Sequence, residues 1–293
     1  MTWTNYHSHC SFSDGTDEPR LYAQAAVAQK MLAYGFSCHV PMPFFCAWSM
    51  KLENLAAYTA EIEKLKKEFA GRLQIYRSLE IDYIPGFIGP ASSFIKDANL
   101  DYTVGSIHFV DRFEDGAHWE IDGTSAIFEN GLQQIFGGDI RKVVTRYYEL
   151  TRMMVQEECP DIIGHIDKIK MQNPANKYFS EDEEWYKAEV LKTLDVIAET
   201  KAIIEVNTRG LYKKKTAEPY PGKWMLLEVL KRNIPVTINS DSHHPKEVTA
   251  EFENSAALLK QVGFETVKAF IDNKWQDYKF SERGVTLSEV EGQ

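Results

Sequence analysis

Short apolar segments of strand character alternate with amphipathic helical stretches along nearly the whole of this 293-residue chain. That alternation limits the fold more than any other feature, because strands separated by helices are joined by crossovers and run parallel. Residues 3–7 read as a strand. Pro19 opens a helix through about Tyr34, and Gly35 is expected to stop it. Residues 36–39 form the next strand, and the proline-rich stretch 41–45 a loop. Leu55, Ile62, Leu65 and Phe69 recur at helical spacing inside residues 52–69. Strands follow at 73–81 and 101–109, with a turn and short helix at 86–98 and a charged, aromatic loop at 111–123. A helix at 140–156 precedes a strand at 161–165. Ser180 with Glu183 resembles a capping box for a helix running to about Thr200. Strands at 202–207 and 234–240 flank a basic, aromatic loop at 208–221 and a helix at 222–232. The tail is read as one or two helices and a short strand at 275–280. Seven principal strands result. The expectation is one α/β domain over residues 1–293, a distorted TIM-type barrel with seven strands instead of eight.

In such a barrel the strand ends share one face, where functional sites are built. The residues at those ends are unusual as a set. The first strand ends at His7 and His9, whose i, i+2 spacing puts both imidazoles on one side of an extended chain. The others end at His39, Glu80, His108, His165, Asn207 with Arg209 beyond it, and Asp241 with His243. Six of the eight histidines fall there. Imidazole with carboxylate suits zinc, iron or manganese, and the donors exceed what one tetrahedral ion needs, so two or three divalent ions are expected. Glu80 is the candidate bridging carboxylate.

Composition narrows the partners. A net charge of −10 argues against a basic nucleic-acid face, though not against a local phosphate pocket. The four cysteines make no CxxC pair and no secreted-type framework. No apolar run approaches a membrane span, and the polar start does not resemble a signal peptide, so a cytoplasmic protein without membrane or nucleic-acid partners is expected.

Tyr6-His7-Ser8-His9, Gly164-His165-Ile166-Asp167 and Asn239-Ser240-Asp241-Ser242-His243 are similar to the motifs of the PHP (polymerase and histidinol phosphatase) family. Leu79-Glu80 and Gly105-Ser106-Ile107-His108-Phe109 match its intervening motifs. Within the family the chain most resembles histidinol-phosphate phosphatases. The resemblance implies a trinuclear site: His7, His9, Glu80 and Asp241 for the first ion; Glu80, His108 and His165 for the second; His39, His243 and Asp14 for the third. It implies a phosphomonoesterase of histidine biosynthesis in which a hydroxide bridging the ions attacks phosphorus in line. Asp14 or His243 is placed to protonate the leaving group. Arg209, whose planar fork suits phosphate, is the expected substrate-phosphate residue, with Arg112 a weaker second. Lys213, Lys214 and Lys215 read as a solvated loop. The stretches 111–122 and 218–220 offer rim groups for an amine and an imidazole. His118 and His244 lie outside the pattern, and Cys10 and Cys38 read as packing residues. A PHP phosphoesterase acting on nucleotides or nucleic-acid ends is the alternative.

Overall fold

The computed structural model describes residues 2–286. Met1 and residues 287–293, which the single-domain expectation also covers, lie outside the described residues. In chain order the elements are β1 (Thr4–Asn5), α1 (Pro19–Ala28), β2 (Ala33–Phe36), α2 (Leu55–Glu68), β3 (Gln74–Arg77), β4 (Glu80–Asp82), α3 (Ser93–Asp97) and β5 (Val104–Ser106). Next come β6 (Phe109–Arg112), β7 (His118–Glu120), α4 (Ser125–Phe136), α5 (Ile140–Glu158), β8 (Ile162–Ile163), α6 (Glu184–Ala198), β9 (Ile203–Asn207) and α7 (Arg209–Tyr212). The chain closes with α8 (Lys223–Lys231), β10 (Val236–Asn239), α9 (Phe252–Val262), β11 (Thr266–Ile271), β12 (Lys274–Ser281) and β13 (Gly284–Val285).

Two parallel sheets carry the architecture, in the orders β1-β2-β3 and β10-β9-β8-β5-β4. β3 and β4 are two pieces of one strand, interrupted at residues 78–79. Single parallel bridges join the sheets at both seams, Ser8 with Ser242 and His39 with Glu80. The seven strand positions thus form the distorted ring that the alternation predicts, with helices packed outside. α2 shows the packing logic: it buries Tyr58, Ile62 and Leu65 on one face and gives lysines and glutamates to water. α5 is started by Asp139, whose carboxylate accepts from the Arg141 and Lys142 amides.

The opposite mouth of the ring is closed by the tail. Ala33, Val104 and Ile162 begin their strands and pack with Tyr6, Tyr76, Tyr102 and the β11 residues Ala269, Phe270 and Ile271. The Tyr6 hydroxyl accepts from the Phe270 amide at 2.7 Å and donates to the Phe270 carbonyl at 3.0 Å.

Several boundaries differ from the sequence reading. α1 ends at Ala28, so Gly35 is not its stop but the middle of β2. A Cβ on Gly35 would lie 1.8 Å from the Tyr102 hydroxyl, so close packing, not a helix end, explains the glycine. Stretch 111–123 is largely the antiparallel hairpin of β6 and β7, turning at Gly116 with φ +87°. α4 stands where no element was read; Thr124 caps it and Gly137 ends it in the left-handed region. The tail holds one long helix and three antiparallel strands, β11 included, rather than a second helix. The Ser180 box is half formed: Glu183 accepts from the Ser180 amide, but the Ser180 hydroxyl takes the Asp182 amide. Among the described residues, no helix is long and apolar enough to cross a membrane.

Candidate metal centre

Every strand-end residue singled out above meets at one mouth of the ring. Glu80 is at the centre. Its Oε2 lies 3.2 Å from His7 Nε2, 3.4 Å from His9 Nε2 and 3.0 Å from His39 Nδ1. Its Oε1 lies 2.8 Å from His165 Nε2 and 3.6 Å from His108 Nε2. Asp241 Oδ1 is 3.1 Å from His9 Nε2 and 3.8 Å from His7 Nε2. Asp14 Oδ2 stands 3.1 Å from His243 Nε2, and its Oδ1 3.7 Å from His39 Nε2.

Among the described residues, three sets of potential donor atoms each lie within 4.8 Å of one another: His7, His9 and Asp241; His39, Glu80 and His108; and His9, Asp14, His39 and His243. These overlap the expected groupings without reproducing them. His39 falls with Glu80 as well as with Asp14, and His9 faces two sets. His165 touches Glu80 but belongs to none of the three.

The residues present suit metal ions. His7 Nε2, both His9 nitrogens, His39 Nδ1 and Asp241 Oδ1 are buried without a hydrogen-bond partner. Five buried lone-pair or N–H sites with no partner, all at one cluster, would be costly in a packed interior. Cations bound among them remove that cost, and the donors are imidazole and carboxylate.

Electrostatics keep the cluster polarised. Burial would raise the Glu80 carboxyl, but the His7, His39 and His108 imidazoles hold it well below its ordinary value. Burial would likewise lower His7, but Glu205, Glu80 and Asp241 raise it well above. Burial lowers His39. Burial and the Lys168 ammonium lower His165 to about 4. Against burial, Asp82 raises His108 to about 9, with its Oδ1 3.0 Å from His108 Nδ1.

Above the cluster opens a cleft of about 260 Å³ lined by Asp14, Trp48, Glu120, Lys168, Arg209 and His243 among others. Arg209, in the first turn after β9, donates to the Asp241 carbonyl at 2.9 Å and stands 2.7 Å from His243 Nδ1. Lys168 reaches in from the segment after β8, 2.9 Å from Asp122 Oδ2 and 3.1 Å from His108 Nε2. The Trp48 indole is set edge-on to His39 at 4.5 Å and donates to Glu120 Oε2 at 2.8 Å.

Other expected residues fall elsewhere. Arg112 is exposed on the hairpin and does not line the cleft. Of the rim stretches, 111–122 contributes Glu120 and Asp122, whereas Tyr220 is buried behind Lys170 and lines nothing in the cleft. Lys213 pairs with Glu247, while Lys214 and Lys215 face solvent. Cys10 and Cys38 sit in the core with thiols 3.2 Å apart. His118 stacks on Phe44, and His244 caps the Lys246 amide.

Lys168, Trp48, Glu205 and Asp82 were missed by the sequence reading. The first two come from irregular segments whose reach a sequence does not encode. Glu205 does leave a signal: it is the one acid in β9, flanked by Ile203, Ile204 and Val206, a position that requires a partner, whereas Asp82 shares β4 with Glu80 and does not stand out.

Residues 5–209 match the PHP domain family. The probable histidinol-phosphatase of Deinococcus radiodurans is 34% identical over 263 residues, covering 88% of this chain and 92% of that protein. The histidinol-phosphatase of Bacillus subtilis is 27% identical over 262 residues, covering 84% of this chain and 96% of that one. The crystal structure of histidinol phosphate phosphatase from Lactococcus lactis, complexed with zinc, L-histidinol and phosphate, superposes with a TM-score of 0.71. It covers 97% of this chain and 99% of its own, at 21% identity, and so shares the fold. With the family match, the relatives and the ring of strand-end imidazoles and carboxylates in agreement, the chain belongs to the PHP domain family.

Proposed function

We propose that the protein is a metal-dependent phosphomonoesterase that hydrolyses L-histidinol phosphate to L-histidinol and phosphate, a step of histidine biosynthesis, in the cytoplasm. The observation that carries this reading is the buried imidazole–carboxylate cluster beneath a cleft lined by Arg209, Lys168, Trp48, Glu120 and Asp122. Two or three divalent ions, zinc, iron or manganese, are assigned to His7, His9, Asp14, His39, Glu80, His108, His165, Asp241 and His243. When bound, such ions supply a nucleophilic water at neutral pH and offset phosphoryl charge.

The chain's own residues do the rest. Arg209 and Lys168 both line the cleft, and both keep their positive charge. Between them a phosphate monoester finds a planar fork and a point charge. His243, close to Asp14, has its imidazole lowered chiefly by burial and by His9. Lowered in this way the ring is neutral at neutral pH, which suits a ligand, and as an acid toward the leaving oxygen it would first have to take up a proton. Asp14 stays ionised against burial because of His39, His243 and His9, and orients that ring. Trp48, Glu120 and Asp122 supply an aromatic face and two carboxylates to a cationic head such as an amine or imidazolium.

The test is phosphate release by manganese-reconstituted protein from histidinol phosphate beside a panel of nucleotides and sugar phosphates. Strong preference for histidinol phosphate is expected. Turnover directed to nucleotides would retain the cluster and move the substrate to the other branch of the family.

A further inference from the structure

Glu205 lies on β9, does not line the cleft and is fully buried. Its carboxylate meets four N–H groups. Oε1 is 2.7 Å from His7 Nδ1 and accepts from Asn239 Nδ2 at 3.0 Å. Oε2 accepts from the His165 backbone amide at 2.9 Å and from Asn207 Nδ2 at 3.0 Å. Asn207 Nδ2 also reaches Asp241 Oδ2 at 3.2 Å.

The two asparagines cannot turn round. Asn239 Oδ1 accepts from the Tyr6 amide at 2.7 Å, and Asn207 Oδ1 accepts from the Arg209 amide at 2.9 Å, so both NH₂ groups are committed to the carboxylate side. Every neighbour of Glu205 is therefore a donor, and only an acceptor-only group satisfies them all. With its Nδ1 proton on Glu205, His7 aims its Nε2 into the cluster, where that atom is buried without a hydrogen-bond partner and ligates once it gives up its own proton.

We infer that Glu205 is a positioning residue that couples two ion sites. It orients His7 and, through Asn207, Asp241, which belong to one donor set. It also pins the main chain of His165, whose ring meets Glu80 on the other side of the cluster. No ligand contact of its own is required, because Glu205 acts from behind. Asp82 is the natural contrast: its Oδ1 holds only His108, by ring at 3.0 Å and by backbone amide at 3.1 Å. This inference rests on the reading of the cluster as a metal centre.

The experiment compares wild type, Glu205→Gln and Asp82→Asn. Each protein is stripped with chelator, checked for fold by circular dichroism and thermal melting, and titrated with manganese(II) under equilibrium dialysis with elemental analysis. A glutamine must aim its NH₂ at committed donors. Glu205→Gln is therefore expected to weaken two ions together, each by roughly 10–100-fold, whereas Asp82→Asn weakens one. Wild-type affinities in Glu205→Gln, or the loss of one ion only as in Asp82→Asn, would overturn the coupling. Should Glu205→Gln not fold, Glu205→Asp keeps the charge but cannot span His7 and His165 at once. The same paired loss is expected there, and unchanged binding overturns the inference. Failure of the wild type itself to bind manganese would sink the metal-centre reading instead, a distinct result.

Discussion

Glu80 stands between His165 and His7, its Oε1 2.8 Å from one imidazole and its Oε2 3.2 Å from the other. One carboxylate thus presents a different oxygen to each half of the cluster. Ser106 fixes that orientation by donating to Oε1 at 2.7 Å. Glu80→Gln replaces an oxygen by an NH₂ group at the point of closest convergence. Turnover should fall by at least about 100-fold, with two ions lost or weakened together. Phosphate release and elemental analysis on the same preparation decide it; a fully active variant would remove the bridging assignment.

Arg209 is tied to the cluster as well as to the cleft, since its Nη1 lies 2.7 Å from His243 Nδ1 and donates to the Asp241 carbonyl. Losing a charge-assisted phosphate contact costs about 1.5–3 kcal/mol, so Arg209→Ala should raise KM roughly tenfold to a hundredfold. Metal content should hold. If the ions leave with the arginine, its role is to support His243 and not to bind substrate. Steady-state kinetics beside metal analysis separates the two.

The strand-end cluster of imidazoles and carboxylates was legible because strand-end position is a regular signal: each strand hands one or two polar residues to the same face. Glu205 stood in plain sight as the one acid of β9, yet a sequence does not say which way its carboxylate turns. Trp48 and Lys168 were beyond reach, because their place depends on loop paths set by tertiary packing. The hairpin of β6 and β7 was read as a loop, and of the β11–β12 hairpin only the second strand, at 275–280, was read. Their turns, Asp115-Gly116 and Asp272-Asn273, carry left-handed residues, a turn chemistry that marks both hairpins. Gly35 was misassigned because a glycine after a helical run ordinarily marks its end, whereas here it makes room for an aromatic ring from β5's approach.

That ring yields a stability prediction. The Tyr102 hydroxyl donates to the Tyr6 carbonyl at 2.6 Å, directly over Gly35. A methyl at position 35 would meet that oxygen at 1.8 Å and the ring carbon behind it at 2.9 Å. Gly35→Ala should cost about 1–3 kcal/mol through overpacking. Tyr102→Phe in the same chain removes the nearer clash and should recover part of the loss. Urea unfolding of the two singles and the double tests this; purely additive losses would mean that the contact is not the cause.

Titration of the metal-free protein follows from the histidines pulled in opposite directions. His165, lowered to about 4 by burial and Lys168, binds fewer protons in the folded than in the unfolded chain between that value and the ordinary 6.5. Its contribution is therefore intact above about pH 6.5 and is lost as pH falls toward 4. His39 and His243, also lowered by burial, act in the same sense. His108, raised to about 9 by Asp82 against burial, does the reverse: its contribution is intact below about 6.5 and is lost as pH rises through 9. His7, raised by Glu205 against burial, adds to that alkaline limb. The chelator-treated protein should accordingly melt highest near pH 6.5 and lower on both sides. Manganese should lift the alkaline limb most, because ligation takes the neutral imidazole and so strengthens as protons become scarce. Melting curves from about pH 4.5 to 9.5, with and without the ion, read both effects. A metal-free melting temperature that climbs steadily through pH 9 would show that Asp82 and Glu205 do not hold protonated rings.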